Sequence, residues 1–113
     1  MDWTEKFADT KSEVRNLNTA LPETTRAFGA LGKTVKDAGA VDYKAKEYVA
    51  LGIAVATKCE ACIMFHVETL IKCGATREEV AEVLGMTIQM GGGPSMMYAA
   101  KALACYDALA ETG

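Results

Sequence analysis

The chain has 113 residues, half of them apolar and 24% charged, which is enough for one domain with its own core and not for two. That balance excludes a disordered or fibrous chain. A formal charge of −3 leaves no cationic excess with which to bind nucleic acid or an anionic membrane. Four cysteines in so short a chain need a reason, either a disulfide framework or chemistry. The start, Met1-Asp2-Trp3-Thr4-Glu5-Lys6, has no apolar signal core. No apolar run reaches the roughly 18 residues of a spanning helix. Disulfide scaffolds are loop-rich, whereas this chain is rich in alanine and holds two prolines. The expected compartment is therefore the cytoplasm, where thiols stay reduced and cysteines serve redox, metal or core roles.

Helical periodicity runs through the chain, and no strand alternation competes with it. The first helix is predicted from about Asp2 to Asn18, with Trp3, Phe7, Val14 and Leu17 as its apolar positions. The second opens at Leu21-Pro22, since proline suits a first turn whose N–H groups lack partners. Its face is Phe28, Leu31 and Val35, and it stops near Gly39. Asp42 is the expected N-cap of a third helix, Tyr43 to Ala56, whose apolar residues nearly encircle it and mark it as central. The fourth is expected from Thr57 or Lys58 to Cys73, with Gly74 as its stop. Thr76-Arg77-Glu78-Glu79 is a capping box that opens the fifth. Gly91-Gly92-Gly93-Pro94 breaks the chain before a sixth, Ser95 to about Leu109. The expectation is an all-α, single-domain bundle of about six helices over residues 1–113. Its alanine and methionine content suggests that some faces pack against another copy, a homo-oligomer.

The stretch that carries chemistry is Lys58-Cys59-Glu60-Ala61-Cys62-Ile63-Met64-Phe65-His66. At 100° per residue Cys62 lies about 300° round the helix from Cys59, and His66 about 340° round. Two thiols and the chain's one imidazole therefore share a narrow sector near a helix start. A helix N-terminus stabilises a thiolate, an imidazole can take the thiol proton, and a second thiol can resolve what the first forms. The dipole favours Cys59 as the low-pKa thiol, while the nearness of His66 favours Cys62. Zinc bound by Cys59, Cys62, His66 and Cys73 is the rival reading of the same residues. Structural zinc sites, however, staple separate elements, and three of these ligands sit on one helix. Cys73 and Cys105 read as residues without chemistry. Met86, Met90, Met96 and Met97 read as core or interface packing rather than as a pocket.

At these residues the sequence resembles the carboxymuconolactone decarboxylase superfamily, in its alkylhydroperoxidase-D-like branch. The pattern is Glu47, Cys59 twelve residues on, then Cys62 and His66. It is flanked by the alanine-rich Ala50-Leu51-Gly52-Ile53-Ala54-Val55-Ala56 and by Gly74-Ala75-Thr76-Arg77-Glu78-Glu79-Val80. The likeness spans about residues 21–110, beyond an N-terminal helix in residues 1–20. It implies an all-α subunit that assembles into trimers or hexamers and reduces hydroperoxides or disulfides with thiols. It further implies that Cys62 attacks, Cys59 resolves, and Glu47 and His66 form the proton relay. Glu47 by itself, between Lys46 and Tyr48, would read as solvated. Some relatives carry a second histidine immediately before the second cysteine. Ala61 stands there in this chain, which tilts the expectation from peroxidase toward thiol–disulfide reductase.

The reading from sequence is thus an oligomeric thiol–disulfide oxidoreductase that cycles between a Cys59–Cys62 dithiol and disulfide. It needs no metal, flavin or other cofactor, and it draws electrons from a protein or small-molecule dithiol. Its rivals are a lyase like the family's namesake and a non-catalytic helical or zinc-binding module.

Overall fold

A computed structural model of the chain describes residues 2–37 and 39–112. Six α-helices follow one another: α1 Trp3–Ala20, α2 Pro22–Lys36, α3 Tyr43–Ala56, α4 Glu60–Lys72, α5 Arg77–Gly91 and α6 Gly93–Thr112. No strand occurs among the described residues, so the fold is all-α as expected.

The helix starts follow the capping chemistry in the sequence. Asp2 and Asp42 accept backbone N–H bonds of 2.8 Å from Glu5 and Ala45, and so cap α1 and α3. Thr76 and Glu79 form the reciprocal capping box that opens α5. Several boundaries differ from expectation. α1 continues past Asn18 to Ala20, because an exposed asparagine costs a helix only tenths of a kcal/mol (about 0.5). α2 ends at Lys36, three residues before Gly39. The glycine run does not break the chain over four residues, since only Gly92, at φ 75°, separates α5 from α6. Gly91 stays helical with the Ser95 side chain packed where a β-carbon would sit. Gly93 and Pro94 form the first turn of α6, where proline's missing N–H costs nothing.

The reversals at either end of α4 are the same motif built twice. After α4, Gly74 takes φ 81° and its N–H bonds Ile71 O, while Ala75 N–H bonds Leu70 O. After α3, Lys58 takes φ 58° and its N–H bonds Val55 O, while Cys59 N–H bonds Ala54 O. Both are Schellman closures, which satisfy the last carbonyls of a helix through one left-handed residue. In the second closure that residue is a lysine. The fourth helix therefore begins at Glu60, not at Thr57 or Lys58, and Cys59 stands just outside it.

α4 is the centre of the core. Its Ile63, Met64, Val67 and Leu70 are buried, and it lies between α3 and α6. Each such side chain, taken fully out of water, stabilises the fold by about 1.5–3 kcal/mol. α5 pairs with α6 and reaches α3. α1 crosses α4 and α6, with Phe7 buried edge-on against Phe65 at 5.0 Å between ring centres. α2 is different, for it packs chiefly on α1 and buries no residue. Its expected inner face, Phe28, Leu31 and Val35, is exposed. α3, expected to be covered all round, is apolar on both sides yet buried on one; Val49 and Ile53 face outward. No helix among the described residues is long and apolar enough to cross a membrane.

Candidate functional site

Cys59 and Cys62 are joined as a disulfide, with their Cα atoms 5.2 Å apart. The local chain explains why. The closure after α3 fixes the backbone of Cys59, which then serves as the N-cap of α4. Cys62 follows at the third helical position, and its N–H donates to Cys59 Sγ at 3.2 Å. A sulfur therefore occupies the place where a serine or aspartate oxygen usually caps a helix. Free N–H groups and the positive end of the helix dipole converge on it, a setting that stabilises a thiolate.

His66 lies one turn beyond Cys62 and is partly buried. Its Nδ1 is 2.7 Å from Glu47 Oε1. Glu47 comes from the facing side of α3 and is only 1% exposed. A carboxylate is purely an acceptor, so the Nδ1 proton sits on the imidazole and donates to Glu47. In the neutral imidazole, Nε2 is then the lone-pair nitrogen. Glu47 Oε2 in turn faces the Lys36 ammonium at 4.0 Å, across from the last turn of α2. Nothing in the spacing of the sequence signals Lys36; its place depends on how α2 meets α3.

The structure thus brings the four expected residues into two pairs, Cys59 with Cys62 and Glu47 with His66. Among the described residues no hydrogen bond joins His66 to either sulfur; its side-chain partner is Glu47. A cavity of about 500 Å³ opens beside the second pair, walled by Val35, Val41, Val49 and Ala50, with Lys36, Lys46, Glu47 and His66 on its rim and floor. Neither sulfur lines it.

Beside the disulfide, Glu60 holds a second set of charges. Lys6 of α1 donates to Glu60 Oε1 at 2.9 Å, and Lys101 of α6 lies 3.8 Å from Oε2. The Lys6 contact above all holds the Glu60 carboxyl below the usual carboxylate range. Cys105 is fully buried, and desolvation, with a smaller contribution from Glu60, pushes its thiol up to about 12. It stays protonated and inert, whereas Cys73 is half-buried at the C-cap of α4. No group of three or more His, Cys, Asp or Glu among the described residues converges as a metal site. Met86, Met90, Met96 and Met97 are exposed rather than core: Met90 is 78% exposed, and Met96 and Met97 border an apolar groove between α5 and α6.

The chain is similar to known proteins over most of its length. An uncharacterized protein of Cupriavidus necator is 42% identical over 83% of this chain and 96% of its own length. An uncharacterized protein encoded in the cox locus of Paracoccus denitrificans is 38% identical over 78% of this chain and 86% of its own. Among solved structures, a carboxymuconolactone decarboxylase family protein from Legionella pneumophila superposes with a TM-score of 0.91 at 41% identity, over 96% of both chains. One from Thermotoga maritima, described as a candidate for the antioxidative response, gives a TM-score of 0.82 at 26% identity, over 95% of this chain and 92% of that one. The model of the carboxymuconolactone decarboxylase family matches residues 22–104, from the first turn of α2 to the middle of α6. With its helical fold, its sequence and these solved structures in accord, the chain belongs to the carboxymuconolactone decarboxylase family.

Proposed function

We propose that the chain is a thiol–disulfide oxidoreductase whose working groups are Cys59, Cys62, His66 and Glu47. The observation that carries this reading is the bonded cysteine pair at the N-cap of α4, on the helix whose His66 is held by a buried carboxylate. In the reduced enzyme His66 Nε2 accepts the proton of Cys62, and the Cys62 thiolate attacks the substrate. With a hydroperoxide, the O–O bond breaks, an alcohol leaves and Cys62 becomes a sulfenic acid. Cys59 then attacks that sulfur, water leaves and the disulfide closes. With a disulfide substrate, attack gives a mixed disulfide and one free thiol, and Cys59 releases the second thiol. Both routes remove two electrons from the cysteine pair and end in the state seen here.

The cap position suits Cys59 to its part. A sulfur stabilised as thiolate by the helix start resolves efficiently. It also leaves readily when an external dithiol attacks Cys62 to return the two electrons. That donor is a protein or small-molecule dithiol. Ala61, in place of a second histidine, favours disulfides over peroxides as substrates. The exposed apolar residues of α2, α3, α5 and α6 support a homo-oligomer, a trimer or hexamer, as the working unit.

The test is to oxidise the reduced protein with peroxide or with an aromatic disulfide, count thiols and locate the bond by peptide mass spectrometry. Two thiols should be lost reversibly, at Cys59 and Cys62, and Cys62→Ser should abolish the loss. Thiols unchanged by either oxidant would sink the reading.

A further inference from the structure

Building on that redox reading, we propose that Lys36 is a positioning residue of the relay. Its ammonium fixes Glu47 as the carboxylate, and Glu47 thereby keeps the Nδ1 proton on His66 and leaves Nε2 free for the thiol proton. Lys36 lies outside the Glu–Cys–Cys–His pattern and on a different helix from all four of those residues.

Three observations support it. Glu47 is buried with one oxygen on His66 Nδ1 and the other facing Lys36 Nζ at 4.0 Å. A buried carboxylate needs a counter-charge, since it loses most of its hydration. The backbone on either side of Lys36 is also held, although its side chain is 47% exposed. Lys46 donates to the carbonyls on either side of it, Val35 O at 2.9 Å and Asp37 O at 2.6 Å. This clamp holds the last turn of α2 against α3, although α2 buries no residue of its own. Finally, Lys36 and the Glu47–His66 pair border the same cavity of about 500 Å³, walled by Val35, Val41, Val49 and Ala50.

The other groups around the pair do not replace Lys36. From α3, the Lys46 ammonium is engaged by the two carbonyls. Tyr43 is raised above the ordinary phenol range by burial, and next by the charge of Glu47, so it stays neutral. From α4, only His66 itself approaches the carboxylate as an ion-pair partner among the described residues. The proton that leaves Cys62 then comes to rest on His66, between Glu47 and the thiolate, and no electrons move in that step.

His66 is the chain's one histidine, so its ring protons give a single pair of imidazole lines in a proton NMR titration of the full-length oxidised protein. Lys36→Met removes one positive charge near the imidazolium and should move the titration midpoint up by roughly 0.5 pH unit. Lys36→Arg should leave it where it is. In the reduced protein, the acid limb of the rate of thiol oxidation against pH should move up by the same amount in Lys36→Met and not in Lys36→Arg. A midpoint or acid limb unmoved in Lys36→Met overturns the proposal. So does an arginine variant as perturbed as the methionine one, because that would be loss of packing rather than of charge. If wild-type thiols resist both oxidants, the redox reading fails and the positioning role falls with it. If wild type is oxidised and the variant profile does not move, only the role of Lys36 fails.

Discussion

At the scale of single residues, chemistry is divided by burial and by what each sulfur touches. Cys59 caps a helix and receives an N–H, while Cys105 lies in the core with its thiol pushed up to about 12. In the reduced, folded protein iodoacetamide should therefore alkylate the pair and spare Cys105 until the chain is unfolded. Rapid labelling of Cys105 under native conditions would contradict its burial. The relay supports a second expectation. A proton acceptor and the carboxylate that orients it act as one unit, so their losses do not add. Glu47→Gln and His66→Ala should each slow thiol oxidation roughly 10²-fold or more, and the double variant should be little slower than the worse single one. Additive losses in stopped-flow rates would mean that the two side chains act separately.

At the scale of elements, the turn between α3 and α4 has the larger consequence, since it aims Cys59. It uses the same closure as the turn after α4, but with Lys58 in the left-handed conformation that Gly74 holds in the other. A side chain there costs roughly 1–2 kcal/mol relative to glycine. Lys58→Gly should raise stability by about 1 kcal/mol in urea unfolding without changing the cysteine pairing. A loss of stability would show that the lysine side chain contributes more than its backbone costs. α1 is a second such element. It is held to α4 by Phe7 on Phe65 and by Lys6 on Glu60. Phe7→Ala should cost about 3 kcal/mol, and amide exchange should rise first in α1. The ion pair adds a pH dependence of known sign. The Glu60 carboxyl sits lower in the folded chain than in the unfolded one, so its contribution is complete above the unfolded value and fades as pH falls through the folded one. The gap in melting temperature between wild type and Lys6→Met should shrink as pH drops from about 7 to about 3.

At the scale of the whole molecule, the apolar residues left outside form long stripes. α2 offers Phe28, Leu31 and Val35, α3 offers Val49 and Ile53, and α5 and α6 offer Met86, Met90, Met96 and Met97. Exposed apolar residues at helical spacing would be the place where another copy packs. Sedimentation or light scattering should give a mass of several chains. Phe28→Glu or Met90→Glu should lower that mass while helical content is kept. A wild-type protein monomeric at micromolar concentration would contradict the assembly.

Much of this was legible in the sequence, because local physics settled it. The six helices follow from periodicity, from the proline at the start of α2 and from caps at Asp42 and Thr76. The Cys59–Cys62–His66 cluster follows from spacing within one turn or two. The starts capped by Asp42 and Thr76 were readable, but the start capped by Cys59 was not, since the closure through Lys58 lacks the glycine that signals one. The pairing of Glu47 with His66 was implied only by family resemblance, and Lys36 had no signal at all. Distances along a helix are fixed by 3.6 residues per turn. Distances between helices depend on which turns are stacked, and only the packing of α2 and α4 around α3 decides that. The sequence by itself therefore determined the helices and the thiol pair with its neighbouring imidazole. The tertiary structure decided that a glutamate flanked by polar neighbours is buried, and that an imidazole and an ammonium share its charge.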